Sequence, residues 1–250
     1  MAPKTFYAVI AGVGAGTGRS VALKFAKKYP VALLARKPES YQSIVAEIEK
    51  AGGTAIGIST DVTDQKSVEA AFVQLKKEEP FAKSGLAAAV YNASGALGHR
   101  TPFLETTIET FDLALAVNPR GLYFFAQSAL PLLLASVPDS PIPPTLVVTG
   151  ATASNRGSAR FSAFAAGKFA VRGLTQSLSR EFHPQGVHVA HVIIDAVIDI
   201  PRTKAYAVNN GAPDGKLSPD AIADEYWHLH NQHRSGFTQE LDLRPYVEKF

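Results

Sequence analysis

Six short stretches of this chain are rich in Val, Ile, Leu and Ala, with little polar alternation. They are TFYAVIAG (5–12), YPVALLAR (29–36), TAIGISTDV (54–62), LAAAVYNAS (86–94), TLVVTG (145–150) and VHVAHVIID (187–195); FTQELDL (237–243) can add a closing strand. Strands read this way when both faces of a parallel sheet are covered by helices. The intervening segments supply those helices. Helical spacing predicts them over 17–29, 38–51, 65–78 with Asp64 as cap, from near Thr107, through 119–136, and over 162–182 and 219–230. Repeated βα units of this kind fold as one doubly wound α/β domain, with a parallel sheet of about seven strands and helices on both faces. No linker divides residues 1–250. Residues 201–217, with Pro201, Asn209-Asn210-Gly211 and Pro213, form the one long irregular stretch and are expected to act as a lid over a substrate.

Composition removes several classes of function. The 250 residues include no cysteine, which excludes disulfides, thiolate catalysis and Cys-based metal sites. The formal charge of +3 comes from scattered lysines and arginines rather than a basic stripe, so nucleic acid is not an expected partner. No apolar run is long enough to span a bilayer, no cleavage site follows the N-terminal MAPKTFYAVIAGVGAG, and the C-terminal VEKF is not a retention signal. A cytoplasmic protein without membrane partners is the expectation. His228, His230 and His233 are not spaced to share one helix face, and no metal site is expected from them. His188 and His191, three apart in a strand, should point to opposite sides and serve packing. No Gly-x-Ser-x-Gly elbow is present, and Tyr226 with Trp227 is expected to dock the last helix or a neighbouring subunit.

The most informative local motif follows the first strand. GVGAGTG places Gly12, Gly14, Gly16 and Gly18, with Thr17, between that strand and a helix. Glycines here permit a tight turn and close backbone approach to a pyrophosphate, which lies on the helix N-terminus. At the end of the second strand an acid would bind the ribose 2′-hydroxyl of NAD. This chain has Ala35-Arg36-Lys37 instead, with its first acid at Glu39. Arg36, with Lys37 or Arg19, could pair with a 2′-phosphate, so NADP(H) is expected in preference to NAD(H).

Together these residues resemble the short-chain dehydrogenase/reductase family, a Rossmann-type fold, over essentially the whole chain. Gly12, Gly16 and Gly18 match its Gly-x-x-x-Gly-x-Gly loop, and Asp61-Val62 matches the acid placed near the adenine. Asn92-Ala93-Ser94-Gly95 is similar to its Asn-Ala-Gly segment, Asn118 to its catalytic asparagine, and Lys168 to the lysine of its Tyr-x-x-x-Lys pair. The resemblance implies a cofactor site that also takes in Thr17 and Val197, a Lys168 that holds the nicotinamide ribose, a small-molecule substrate, and a homodimer or homotetramer. The departures fall on the chemistry. Phe164 stands at the tyrosine position, Ala151 at the serine position with Thr149, Thr152 and Ser154 nearby, and Asp195-Ala196 where Pro-Gly is usual. These features are similar to an atypical branch of the family with Phe at the tyrosine position.

A phenylalanine has no proton to exchange, and loss of a positioned general acid typically costs roughly 10²–10⁴ in rate. Three repairs are open. Another residue could supply the proton: Asp195 first, or Tyr91, His99, Arg100, Tyr123 or Asp199. The substrate could be an iminium or similar electrophile that needs no acid. The site could hold cofactor without turnover. The first two repairs fit an NADP(H)-dependent oxidoreductase acting on a small carbonyl, enone or imine-like compound and the third a cofactor-binding regulatory or scaffold protein; a non-redox lyase, isomerase or cyclase reusing the pocket is a further alternative. Asn118 is expected to support main chain or a water, and Phe164 to form an apolar wall of the pocket.

Overall fold

A computed structural model describes residues 4–95 and 100–249. The predicted parallel sheet has seven strands in the order β3-β2-β1-β4-β5-β6-β7. They are β1 (Phe6–Ala11), β2 (Val31–Ala35), β3 (Ala55–Ser59), β4 (Gly85–Tyr91), β5 (Thr145–Thr149), β6 (His188–Ile194) and β7 (Glu240–Leu243). All neighbouring pairs run parallel. The central strands β1, β2, β4, β5 and β6 are largely buried because helices cover both faces, whereas the edge strands β3 and β7 are partly exposed. On one side α1 (Thr17–Ala26), α2 (Gln42–Lys50) and α7 (Pro219–His230) contribute Phe25, Ile48 and Tyr226 to the core. On the other, α3 (Gln65–Leu75), α5 (Gly121–Ser136) and α6 (Ser162–Phe182) contribute Phe72, Phe125 and Val171. Trp227 docks α7 as expected, edge-on to Phe25 with ring centroids 5.2 Å apart.

Several boundaries differ from the expectation. The strands stop short of the apolar runs that contain them; β4 ends at Tyr91, so Asn92 to Gly95 form a loop at its carboxyl end. The two helices expected from Thr107 and through 119–136 meet in one π-helical turn, Ala116–Arg120, between α4 (Ile108–Leu115) and α5. Pro119 has no N–H to give to the preceding turn, and such turns accommodate the missing bond. Residues 201–217 are irregular apart from short turns at Pro201–Thr203 and Asn209–Gly211, and a parallel bridge between Ile198 and Leu217 pins their base.

Candidate active site

The sheet reverses its winding between β1 and β4, and the crevice at the carboxyl ends of these strands is where open α/β sheets bind ligands. Gly12 turns the chain there at φ +86°, and a Cβ on it would lie 2.3 Å from the Ala93 nitrogen. Only glycine lets the loops after β1 and β4 touch in this way. Gly14 faces open space, with nothing within 4 Å of a Cβ built on it. Gly16 caps α1 without a side-chain bond, Gly18 lies in its first turn, and that turn holds no acid. Thr17 is buried, and its Oγ1 has no hydrogen-bond partner among the described residues. Free helix N–H groups, an unused hydroxyl and an open glycine fit an anion such as a pyrophosphate.

The walls of the crevice are tied together by polar bonds. Asn92 Nδ2 donates to the Gly12 carbonyl at 2.9 Å, and Asn92 Oδ1 accepts from Thr149 Oγ1 at 3.1 Å. With its own proton given to Asn92, Thr149 Oγ1 accepts from the Tyr226 hydroxyl, 2.6 Å away. Asp61 Oδ1 accepts from the backbone N–H and hydroxyl of Thr63, at 2.9 and 2.8 Å, which holds the turn after β3 beside buried Val62. Arg36 is exposed at the end of β2, next to Lys37, whereas Arg19 is engaged by Glu47. Val197 lies where the chain leaves β6, its carbonyl accepting from Leu217.

On α6, Phe164 and Lys168 lie one turn apart and both are buried, at 5% and 2% exposure. Lys168 Nζ donates to the Thr149 carbonyl at 2.9 Å and sits 5.9 Å from the centre of the Phe164 ring. Burial pulls its ammonium from lysine's usual 10.5 to about 8. Asn118, in the π turn, donates through Nδ2 to Ala114 O at 2.8 Å and Gly95 O at 3.3 Å, while its buried Oδ1 has no partner among the described residues.

The proposed proton sources are mostly committed elsewhere. Asp195 accepts from Thr152 Oγ1 at 2.5 Å and pairs with Arg244 at 3.2 Å. The Tyr91 hydroxyl donates to the Val117 carbonyl, and burial pushes its proton affinity up. Asp199 pairs with Lys204 at 3.1 Å. Tyr123 is half exposed on α5. Arg100 stacks 5.0 Å over the ring of Phe161, just before α6. His99 lies outside the described residues.

Sequence reasoning treated His191 as packing and overlooked a charged array beneath Lys168. Arg172, one turn along α6, grips Glu240 of β7 through two bonds of 2.7 and 2.6 Å. Glu240 also accepts from His191 Nδ1 at 3.0 Å. Burial of Glu240 raises its pKa, yet its bonds to Arg172 and His191 outweigh this and hold the carboxyl below its usual range. The only advance signal was the i, i+4 spacing of Lys168 and Arg172; nothing local links either to residue 240. His188, on the opposite face as expected, bonds to the carbonyls of Leu229 and Thr238.

Comparison with known proteins agrees with this geometry. The short chain dehydrogenase family profile matches residues 7–204. A short-chain dehydrogenase/reductase of Armillaria gallica is 31% identical over 216 residues, covering 85% of this chain and 78% of that protein. A 3beta-hydroxysteroid dehydrogenase of Mediterraneibacter gnavus is 26% identical over 237 residues, covering 94% of this chain and 81% of that protein. Among solved structures, a short-chain dehydrogenase from Rhodopseudomonas palustris superposes with a TM-score of 0.78 at 31% identity, over 98% of this chain and all (100%) of that one.

Proposed function

Because this chain belongs to the short chain dehydrogenase family, we propose that it moves hydride between NADP(H) and a small carbonyl, enone or imine-like substrate, using a proton source other than a tyrosine. The observation that carries this reading is the buried Lys168, 2.9 Å from the Thr149 carbonyl, at the crevice that the glycine loop opens. A bound nicotinamide dinucleotide supplies or removes the hydride. Thr17 and the N-terminus of α1 would hold its pyrophosphate, Asp61, Val62, Asn92 and Ala93 would flank its adenosine side, and Lys168 and Val197 would meet its nicotinamide side. Phe164 gives the substrate an apolar wall and no hydroxyl. Phe103, Leu104 and Ile108, exposed together ahead of and on α4, support self-association as a dimer or tetramer.

Exposed Arg36 supports the choice of cofactor, because a guanidinium offers a fork of donors to a 2′-phosphate. Arg36→Glu should lower the ratio of NADPH to NADH affinity by roughly 100-fold, since a repelling carboxylate replaces charge-assisted bonds. Fluorescence titration with both nucleotides reads this ratio, and an unchanged value would remove Arg36 from the site.

The reaction class is tested by following NADPH absorbance against matched ketones, enones and cyclic imines. Turnover of at least one class is expected, with the imines fastest in relative terms. Phe164→Tyr should raise ketone reduction by roughly 10- to 100-fold, by restoring an acid beside the lysine. NADPH binding without turnover of any class would instead support a non-catalytic, cofactor-binding role.

A further inference from the structure

We propose that Lys168 is itself the group that hands the proton to the substrate, because the fold buries its ammonium without a carboxylate partner and leaves no hydroxyl at position 164 to intervene. The inference rests on the hydride-transfer reading above and names the proton source which that reading leaves open.

Three features carry it. First, an ammonium has three donors, and Lys168 spends one of them on the Thr149 carbonyl. Among the described residues it has no ion pair. Second, the acids that could have neutralised it are held by other partners. Glu240 is bound by Arg172 and His191 on the sheet side, and Asp195, at the end of β6, by Arg244 and Thr152. Strand β5 gives it a carbonyl, and Asn118 of the π turn, which packs against the adjacent Gly167, carries no charge. Third, a histidine close enough to feel the Lys168 charge is itself held neutral. Glu240 only accepts, so the His191 proton lies on Nδ1 and the Nε2 lone pair points at Gly150. A Cβ at residue 150 would lie 2.4 Å from that nitrogen, so the ring fills the room a larger residue would take. His191 Nε2 has no partner among the described residues, and burial disfavours its protonated form. A buried cation with one neutral acceptor and no counter-ion releases its proton readily, which agrees with its value of about 8.

The step balances. One Nζ–H bond of Lys168 breaks as the carbonyl oxygen takes the proton into a new O–H bond, while the carbonyl carbon gains, as a new C–H bond, the hydride that a bound reduced nicotinamide would supply. Lys168 is left as a neutral amine and regains a proton from water once the product leaves. A preformed iminium accepts hydride with no proton, so it bypasses Lys168 as acid.

The test compares the two substrate types in Lys168→Arg. Arginine keeps a cation for the cofactor but does not release a proton. The kcat/KM for ketone reduction should fall at least roughly 100-fold further than that for a preformed cyclic iminium, and the ratio cancels any common loss of cofactor binding. Equal losses for both substrates would reduce Lys168 to a cofactor anchor and overturn the proposal. A second measurement needs no turnover. NMR titration of lysine-labelled protein without cofactor, with the Lys168 signal identified by its loss in the arginine variant, should give a midpoint near 8. A midpoint at the usual 10.5 would also overturn the proposal. Wild-type protein that titrates near 8 yet binds no NADPH would instead sink the hydride-transfer reading, and the proposal with it.

Discussion

Lowering the pH from 7 to 5 should cost the fold about 2 kcal/mol through His230 alone. His230 is fully buried between α7 and the sheet. Thr145 Oγ1 gives its proton to the Pro143 carbonyl, so it accepts from His230 Nδ1 at 3.0 Å. The other ring nitrogen, Nε2, is then the acceptor of the Tyr29 hydroxyl, also at 3.0 Å. Both bonds require the neutral ring. Burial, with a smaller contribution from His188, lowers the His230 pKa from 6.5 to about 3. The folded pKa therefore lies below the unfolded one. The stability contributed by keeping the ring neutral is fully present above pH 6.5 and is lost as the pH falls towards 3, because the unfolded chain takes up the proton first. The whole window is worth about 5 kcal/mol. His188 and His191, also lowered by burial, act in the same direction. Urea unfolding at pH 7 and 5 measures the loss. His230→Gln keeps a donor and an acceptor but does not titrate, so its stability should vary less over the same range. An identical pH slope in the two proteins would exclude His230 as the cause.

Gly12→Ala should cost at least about 3 kcal/mol and weaken NADPH binding by roughly 100-fold or more. Two penalties add. At φ +86° an L side chain pays about 1–2 kcal/mol for the left-handed backbone. The new Cβ would also fall within 2.6 Å of the backbone of Asn92 and Ala93, and neither can swing away as a side-chain tip could. Relief requires the β1 and β4 loops to separate, which strains the bond from Asn92 Nδ2 to the Gly12 carbonyl and opens the crevice. Gly52→Ala supplies the control. Gly52 also has positive φ, +82°, but nothing lies within 4 Å of a Cβ built there. It should lose only the backbone contribution and bind NADPH normally. Thermal unfolding and nucleotide titration on both variants make the comparison, and equal effects at the two glycines would refute the crevice argument.

Burial on two faces was legible because it is written locally. A strand such as LAAAVY must be apolar throughout when helices cover it on either side, and β4 is buried from Gly85 to Tyr91. The glycine loop was legible for a similar reason, since close approach of two backbones dictates residue type at Gly12 itself. The spacing of Phe164 and Lys168 put both on one face of α6 in advance. Asp195 could be named from its strand end, but its partner could not, because Arg244 belongs to the segment after the last strand. The irregular segment 201–217 was visible through its prolines and glycines, whereas the bonds from Lys216 Nζ to the carbonyls of Thr203 and Lys204, both 2.8 Å, were not.

By itself, then, the sequence determined the layered sheet, the anion-ready start of α1, and a lysine one helical turn from a phenylalanine on α6. Each follows from periodicity or residue type within a dozen positions. The tertiary structure alone decided what surrounds that lysine. Arg172 meets Glu240 across 68 residues, His191 meets Glu240 across 49, and Thr149 meets Tyr226 across 77. These partners are brought together by the order β5-β6-β7 and by α6 and α7 packing on opposite faces. Buried polar groups pair with whatever the strand order places beside them, and no local pattern records that order.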